Sequence, residues 1–127
     1  MVDPETKQVI CTAHGKGREH DFHLFKTSKV KMLTSIKCLA DKGYQGIAKL
    51  HPNSYTPQKK PQNGSLTVQQ HSGNRKLALQ RVVCEHINRS LKIFRILSER
   101  YRNRRRRFCL RFNLIASLYN YDLALAT

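Results

Sequence analysis

Acidic residues are scarce in this chain: eight Asp and Glu stand against 24 Lys and Arg among 127 residues, a net charge of +16. Such a surplus repels itself unless a polyanion neutralises it, so nucleic acid is the first partner to expect. Long apolar runs are absent as well. No stretch approaches the roughly 18 residues of a membrane span, and the opening Met1-Val2-Asp3-Pro4-Glu5-Thr6-Lys7 has neither the basic start nor the apolar stretch of a signal peptide. A cytoplasmic protein without a membrane partner is the expectation. The sequence also lacks any Cys-x-x-Cys pair and any internal repeat. Its four cysteines, Cys11, Cys38, Cys84 and Cys109, are scattered, which suits reduced thiols better than disulfides or a zinc ribbon, and all four read as small core residues. What is present is 39% apolar residues, more than a disordered basic tail would carry, in a length that allows one small domain.

Along the chain, Asp3-Pro4-Glu5-Thr6 has Pro at the second position of a turn, so Met1-Val2 reads as the end of a strand entering a hairpin. The β-branched Val9, Ile10 and Thr12 predict a strand over Lys7 to His14, closed by Gly15 and Gly17. A helix is predicted from His20 or Asp21 to Ser28, with Phe22 and Phe25 sharing a face. A short buried strand from Ser35 to Ala40 ends at Asp41. After Asp41-Lys42-Gly43 a helical segment runs from Tyr44 to Leu50, stopped by Pro52, and Tyr55 to Lys60 reads as a proline-bearing edge strand. From Thr67 to Ser98 only Ser72-Gly73 interrupts a helical pattern. A last helix, Arg104 to Leu123, carries Phe108, Phe112, Ile115 and Tyr119 at helical spacing.

The long helix is the most informative element. At about 100° per residue Leu79, Val83, Ile87, Phe94 and Leu97 fall in one arc, and Arg81, Glu85, Asn88, Arg89 and Lys92 gather opposite. One carboxylate therefore sits in a strip of cations. One reading is a solvated face with intrahelical ion pairs, each worth about 0.3 to 0.5 kcal/mol. The other is that Glu85 holds a divalent cation while Arg81, Arg89 and Lys92 hold phosphate oxygens, since nucleic-acid chemistry needs both charges close together. The second reading requires another carboxylate. Asp41 is the candidate, because the carboxyl end of a buried strand is where open α/β sheets present reactive groups; an Asp-x-Gly turn is its ordinary alternative.

These residues carry a resemblance. Arg81-x3-Glu85-x6-Lys92 is similar to the Arg, Glu and Lys of the Tyr-x2-Arg-x3-Glu-x6-Lys signature of bacterial insertion-sequence transposases, with Ala78 in the place of the Tyr. Asp41-Lys42-Gly43-Tyr44-Gln45-Gly46 resembles the segment around the second catalytic Asp of those DDE enzymes, particularly the family numbered five. The likeness continues through Gly17-Arg18-Glu19-His20-Asp21 and from Arg100 to Asp122.

The resemblance implies an α/β chain with a partial RNase H-like fold lacking its first, central strand and ending in two long helices. Residues 1–127 would be the C-terminal portion of a DDE transposase catalytic domain, an incomplete single domain. It implies that three carboxylates bind two Mg²⁺, one activating water or a 3′-hydroxyl and the other stabilising the leaving oxygen of a DNA phosphodiester. Asp41 and Glu85 would be the metal ligands, and Arg81 and Lys92 would position the DNA backbone, with Arg89 added by helical spacing. The first catalytic Asp belongs to the missing strand, and Asp3, at a hairpin tip, does not replace it. Weak Mg²⁺ binding and little cleavage by this chain alone are expected, as for a decayed gene or a second reading frame joined to an upstream product. Expected partners are DNA at insertion-sequence ends, that upstream product and a second copy, in the nucleoid. The alternative is a non-catalytic basic module for DNA or RNA.

Arg100-Tyr101-Arg102-Asn103-Arg104-Arg105-Arg106-Arg107 places six Arg in eight positions, and Arg104, Arg105, Arg106 and Arg107 are read as DNA contacts. A solvated linker is the plainer reading of this run. An anionic membrane surface is a further one, opposed by Arg111, Asn113, Asn120 and Asp122, which interrupt the following apolar helix. Cys11-x2-His14-x5-His20-x2-His23 offers four zinc-ligand types without the spacing of a known finger, so a core thiol and surface histidines are preferred.

Overall fold

The computed structural model describes residues 1–15, 18–98 and 107–126. Backbone contacts divide the chain into two units, Met1–His14 with Val82–Thr127, and Gly15–Arg81.

In the first unit the predicted turn closes a hairpin. Asp3 N–H donates to the Gln8 carbonyl (2.9 Å), Ile10 N–H to the Met1 carbonyl (3.0 Å), and Val2 pairs antiparallel with Val9. Among the described residues this single bridge is all that forms of the strand expected from Lys7 to His14. Pairing with Met1 continues to Cys11, whose carbonyl accepts from the Met1 amino group (2.8 Å), and the other edge of the segment meets side chains of a helix. Asn120 takes the place of a neighbouring strand: its Oδ1 accepts the Val9 N–H and its Nδ2 donates to the Val9 carbonyl, both at 2.8 Å. The Thr12 hydroxyl donates to the side-chain oxygen of Asn113, two turns earlier on the same helix.

That helix, α4 (Phe108–Leu125), follows Arg107, whose φ of 65° is left-handed. Phe108, Ile115 and Ala116 are buried, and Phe112 and Tyr119 pack beside them, so the predicted stripe is the core face. Its partners are Val9 and Val2 of the hairpin, Val83, Ile87 and Leu91 of the long helix α2 (Val68–Leu91), and Leu97 of α3 (Arg95–Ser98). Burying each large side chain contributes roughly 1.5 to 3 kcal/mol.

Residues Val68 to Arg81 of α2 belong to the second unit. Thr67 and Gln70 form a reciprocal cap: the Gln70 N–H reaches Thr67 Oγ1 (3.2 Å) and the Thr67 N–H reaches Gln70 Oε1 (2.9 Å). The helix runs through Ser72-Gly73 without the expected interruption. A helical Gly costs only about 1 kcal/mol relative to Ala, and the next residue is fixed from outside: Asn74 Oδ1 accepts the Gln58 N–H (2.8 Å) and Nδ2 donates to the Gln58 carbonyl (3.0 Å). At its far end α2 stops at Leu91, where the Ile93 and Phe94 N–H groups turn to the i−3 carbonyls of Ser90 and Leu91. The pattern predicted as continuous to Ser98 is thus two helices.

In the second unit β1 (Cys38–Leu39) and β2 (Ser54–Tyr55) pair in parallel, Cys38 with Ser54 and Leu39 with Tyr55. Both are shorter than the predicted strands: before β1 the chain is still turning, with the Ile36 N–H on the Leu33 carbonyl (3.0 Å), and beyond β2 Pro57 removes a donor. Two 3-10 turns, Lys42–Tyr44 and Ile47–Lys49, replace the predicted helix over Tyr44 to Leu50. Gly46 sits between the two turns at φ 90°, where a side chain would be strained. The helix α1 (Asp21–Thr27) matches its prediction within a residue, and Phe22 and Phe25 meet Tyr44 edge-on at 6.0 and 6.2 Å. Ala40, Ile47 and His51 are buried; the His51 Nε2–H donates to the Ile36 carbonyl at 2.6 Å.

The cysteines correct the expectation of four core thiols. Cys11, Cys38 and Cys84 are half-buried and Cys109 is exposed, all free. Burial pushes the Cys38 thiol up from its ordinary range. Leu79 and Phe94, expected on the buried arc, are exposed, since each lies outside the span of α2 that faces the hairpin and α4.

Candidate functional site

Asp41 stands one residue past buried Ala40, whose N–H completes the β1 pairing by donating to the Tyr55 carbonyl at 3.0 Å. The strand end therefore aims Asp41 out of the sheet. Its Oδ1 accepts the Lys42 N–H at 2.6 Å, starting the 3-10 turn, and the Arg81 Nη1 approaches the same oxygen at 3.7 Å. The Asp41 side chain is 55% exposed and that of Arg81 24%. The carboxylate is thus oriented by a backbone donor and a cation while staying open to a ligand from solvent. Asp41 is a turn residue, as its ordinary reading has it, and it stands at the end of a strand.

Glu85, Arg89 and Lys92 belong to the other unit. Glu85 and Arg89 are exposed on α2, one turn apart, and Lys92 lies one residue past its end with its N–H still on the Asn88 carbonyl (3.1 Å). Among the described residues Glu85 forms no ion pair with its helix neighbours, so of the plain reading the solvated face is present and the intrahelical pairs are not. Arg107 is exposed ahead of α4. Arg104, Arg105 and Arg106 lie outside the described residues.

Two carboxylates elsewhere are committed to structure. Asp3 accepts the Thr6 hydroxyl (2.8 Å) and the Glu5 N–H (3.0 Å), and these bonds, the Thr6 one foremost, hold its carboxyl below the usual Asp range. Glu19 lies 3.6 Å from His23 Nε2. The histidines of the zinc pattern have structural work as well: the His20 ring nitrogen Nδ1 accepts the Phe22 N–H at the start of α1, and the His14 ring lies 4.1 Å from that of Phe108. Among the described residues no three His, Cys, Asp or Glu side chains group to hold a metal ion. Carboxylate oxygens such as those of Asp41 and Glu85 suit Mg²⁺ in kind, but the described residues do not supply the number of ligands that a resident ion needs.

The residues that sequence reasoning missed are Asn74 and Asn120. Each is a helix residue of low helical propensity whose amide serves an extended segment, and that mismatch was the available signal.

The chain belongs to the DDE superfamily endonucleases, whose pattern matches residues 1–120. It is 58% identical over 125 residues to a protein of Microchaete diplosiphon described as "Probable transposase for insertion sequence element IS702". That alignment takes in 98% of this chain and 45% of the relative, so the chain spans about half the length of the curated relative it matches. No solved structure matches it. No helix among the described residues is long and apolar enough to cross a membrane.

Proposed function

We propose that the chain serves DNA transposition, as the part of an insertion-sequence transposase that carries Asp41 and Glu85. The observation that carries this reading is the Arg81–Asp41 pair, which joins the Arg of Arg81-x3-Glu85-x6-Lys92 to the Asp of the other motif. In this reading the fold is RNase H-like, residues 1–127 form the C-terminal portion of the catalytic domain, and Asp41 and Glu85 are two of three carboxylates. Bound Mg²⁺ would supply an activated water or 3′-hydroxyl and stabilise the leaving oxygen. Arg81 orients the Asp41 carboxylate, and Arg89, Lys92 and the cations from Arg104 to Arg107 hold the DNA backbone at insertion-sequence ends. The third carboxylate is outside the residues that match the motifs here, so this chain alone binds Mg²⁺ weakly and cuts poorly. Its product would act at the nucleoid.

The test is Mg²⁺-dependent nicking of DNA carrying insertion-sequence ends. The chain is joined to the portion of the relative that it does not cover, and Asp41→Ala and Glu85→Ala serve as variants. Cutting by the joined protein and its loss in both variants, with DNA binding retained, is the expected result. A joined protein that binds DNA but never cuts it would favour the non-catalytic basic module instead.

A further inference from the structure

Two groups hold the Asp41 carboxylate, and they hold it unequally. The Lys42 N–H donates to Oδ1 at 2.6 Å and belongs to the backbone of the 3-10 turn, so this bond persists as long as the turn does. The Arg81 Nη1 stands 3.7 Å from the same oxygen, beyond the roughly 2.7 to 2.9 Å of a hydrogen bond between a guanidinium and a carboxylate. Among the described residues no acceptor hydrogen-bonds any of the other donors in the Arg81 fork. The carboxylate is therefore tied to the backbone, whereas the guanidinium is held beside it by charge alone. Ligands for a resident metal ion are too few here, and the charge of Asp41 is met from within the chain instead.

We propose that Arg81 is an exchangeable counter-ion: without nucleic acid it neutralises Asp41, and when DNA binds, a backbone phosphate takes it over and leaves Asp41 charged and uncompensated. This exchange rests on the reading of the site as one that acts on DNA, and it makes the two motifs a coupled pair. A phosphate offers the guanidinium two short, parallel N–H···O bonds in place of one long contact. Leaving Asp41 costs little, because its side chain is 55% exposed and solvent screens the attraction. The scarcity of acids adds weight. With eight Asp and Glu against 24 Lys and Arg, a surface that only bound DNA would gain by leaving this motif cation without an acid beside it. Linkage makes the coupling reciprocal: if phosphate loosens Arg81 from Asp41, then removing the charge of Asp41 strengthens the hold of Arg81 on DNA by the same factor.

The test is binding of the full chain to a short DNA duplex of arbitrary sequence, with a chelator present so that cutting plays no part. Asp41→Asn keeps an acceptor for the Lys42 N–H and removes the charge. It should tighten binding about three- to fivefold at low salt and steepen the salt dependence by about one phosphate contact. In an Arg81→Gln chain the same change should do neither, and in Arg81→Lys, which keeps a cation, it should again tighten binding. Repulsion between Asp41 and DNA in general would give equal gains in all three backgrounds. The native chain supplies a reading without any variant, since the Arg81 side-chain nitrogen resonances should shift when DNA is added. Equal gains, no gain in Asp41→Asn, unmoved Arg81 resonances in the DNA complex, or a chain that binds no DNA would each overturn the proposal. Failure of the joined protein to cut would leave it standing, because the coupling is read without metal.

Discussion

The Arg81 guanidinium lies 3.7 Å from the Asp41 carboxylate, Nη1 to Oδ1, across 40 positions of sequence. On α2 the same Arg81 is one turn from Glu85, so the residue belongs by spacing to one motif and by contact to the other. The backbone N–H of Lys42 fixes the same oxygen from the other side, and Asp41 is left with its orientation set before any ligand arrives.

This pair orients more than it stabilises. With Asp41 more than half exposed, solvent screens the attraction, and removing either partner should change the unfolding free energy by less than about 1 kcal/mol. Urea titrations of Asp41→Ala and Arg81→Ala check this. A much larger loss would mean that the pair holds the unit together, and any effect of these variants on DNA cutting could no longer be assigned to chemistry.

The long helix should divide energetically along its length. Ile87, 3% exposed within the core of hairpin and α4, should cost about 2 to 5 kcal/mol on replacement by Ala. Leu79, 65% exposed, should cost close to nothing by the same substitution. Equal effects in chemical denaturation would contradict the burial described for the two ends of α2.

Asn120 should matter to stability through its two bonds to the Val9 backbone. Replacing it by Ala leaves the N–H and carbonyl of buried Val9 without partners, a loss of roughly 1 to 3 kcal/mol. Asn120→Asp is the sharper variant, since it keeps an acceptor for the N–H but offers no donor to the carbonyl, and should retain part of the stability. Hydrogen exchange at the Val9 amide reads the effect directly: exchange in Asn120→Ala should be faster, and unchanged protection would refute the clamp.

The turn at Asp3 should respond to acid. Because its carboxyl is held below the ordinary Asp range by the Thr6 hydroxyl and the Glu5 N–H, the ionised form favours the folded hairpin. That contribution is complete above the pKa of an unfolded Asp and is lost as pH falls through the depressed folded value. An NMR titration of the Asp3 carboxyl should show the depressed midpoint, and Thr6→Ala should move it back up. A midpoint in Thr6→Ala equal to that of the native chain would remove this account.

Much of the chain was legible before its structure. The hairpin turn followed from Asp3-Pro4, α1 from the spacing of Phe22 and Phe25, and the core face of α4 from Phe108, Phe112, Ile115 and Tyr119. These are local features, fixed by backbone torsions and by helical periodicity. The strands were overextended because β-branched residues mark where a chain can be extended and not where a partner is present. Val9 has a bridge to Val2 on one side and an asparagine on the other. Residue type alone points Cys84 and Cys109 to the core, whereas their positions on the helices leave Cys84 half-buried and Cys109 exposed.

By itself the sequence determined the charge of the chain, its family motifs and the faces of its helices, because each depends on residue identity and on spacing along one element. Only the tertiary structure decided which partners those faces met: Arg81 with Asp41, Asn120 with Val9, Asn74 with Gln58. Such contacts join positions far apart in the chain, and their energies depend on distance and desolvation, which no linear spacing encodes.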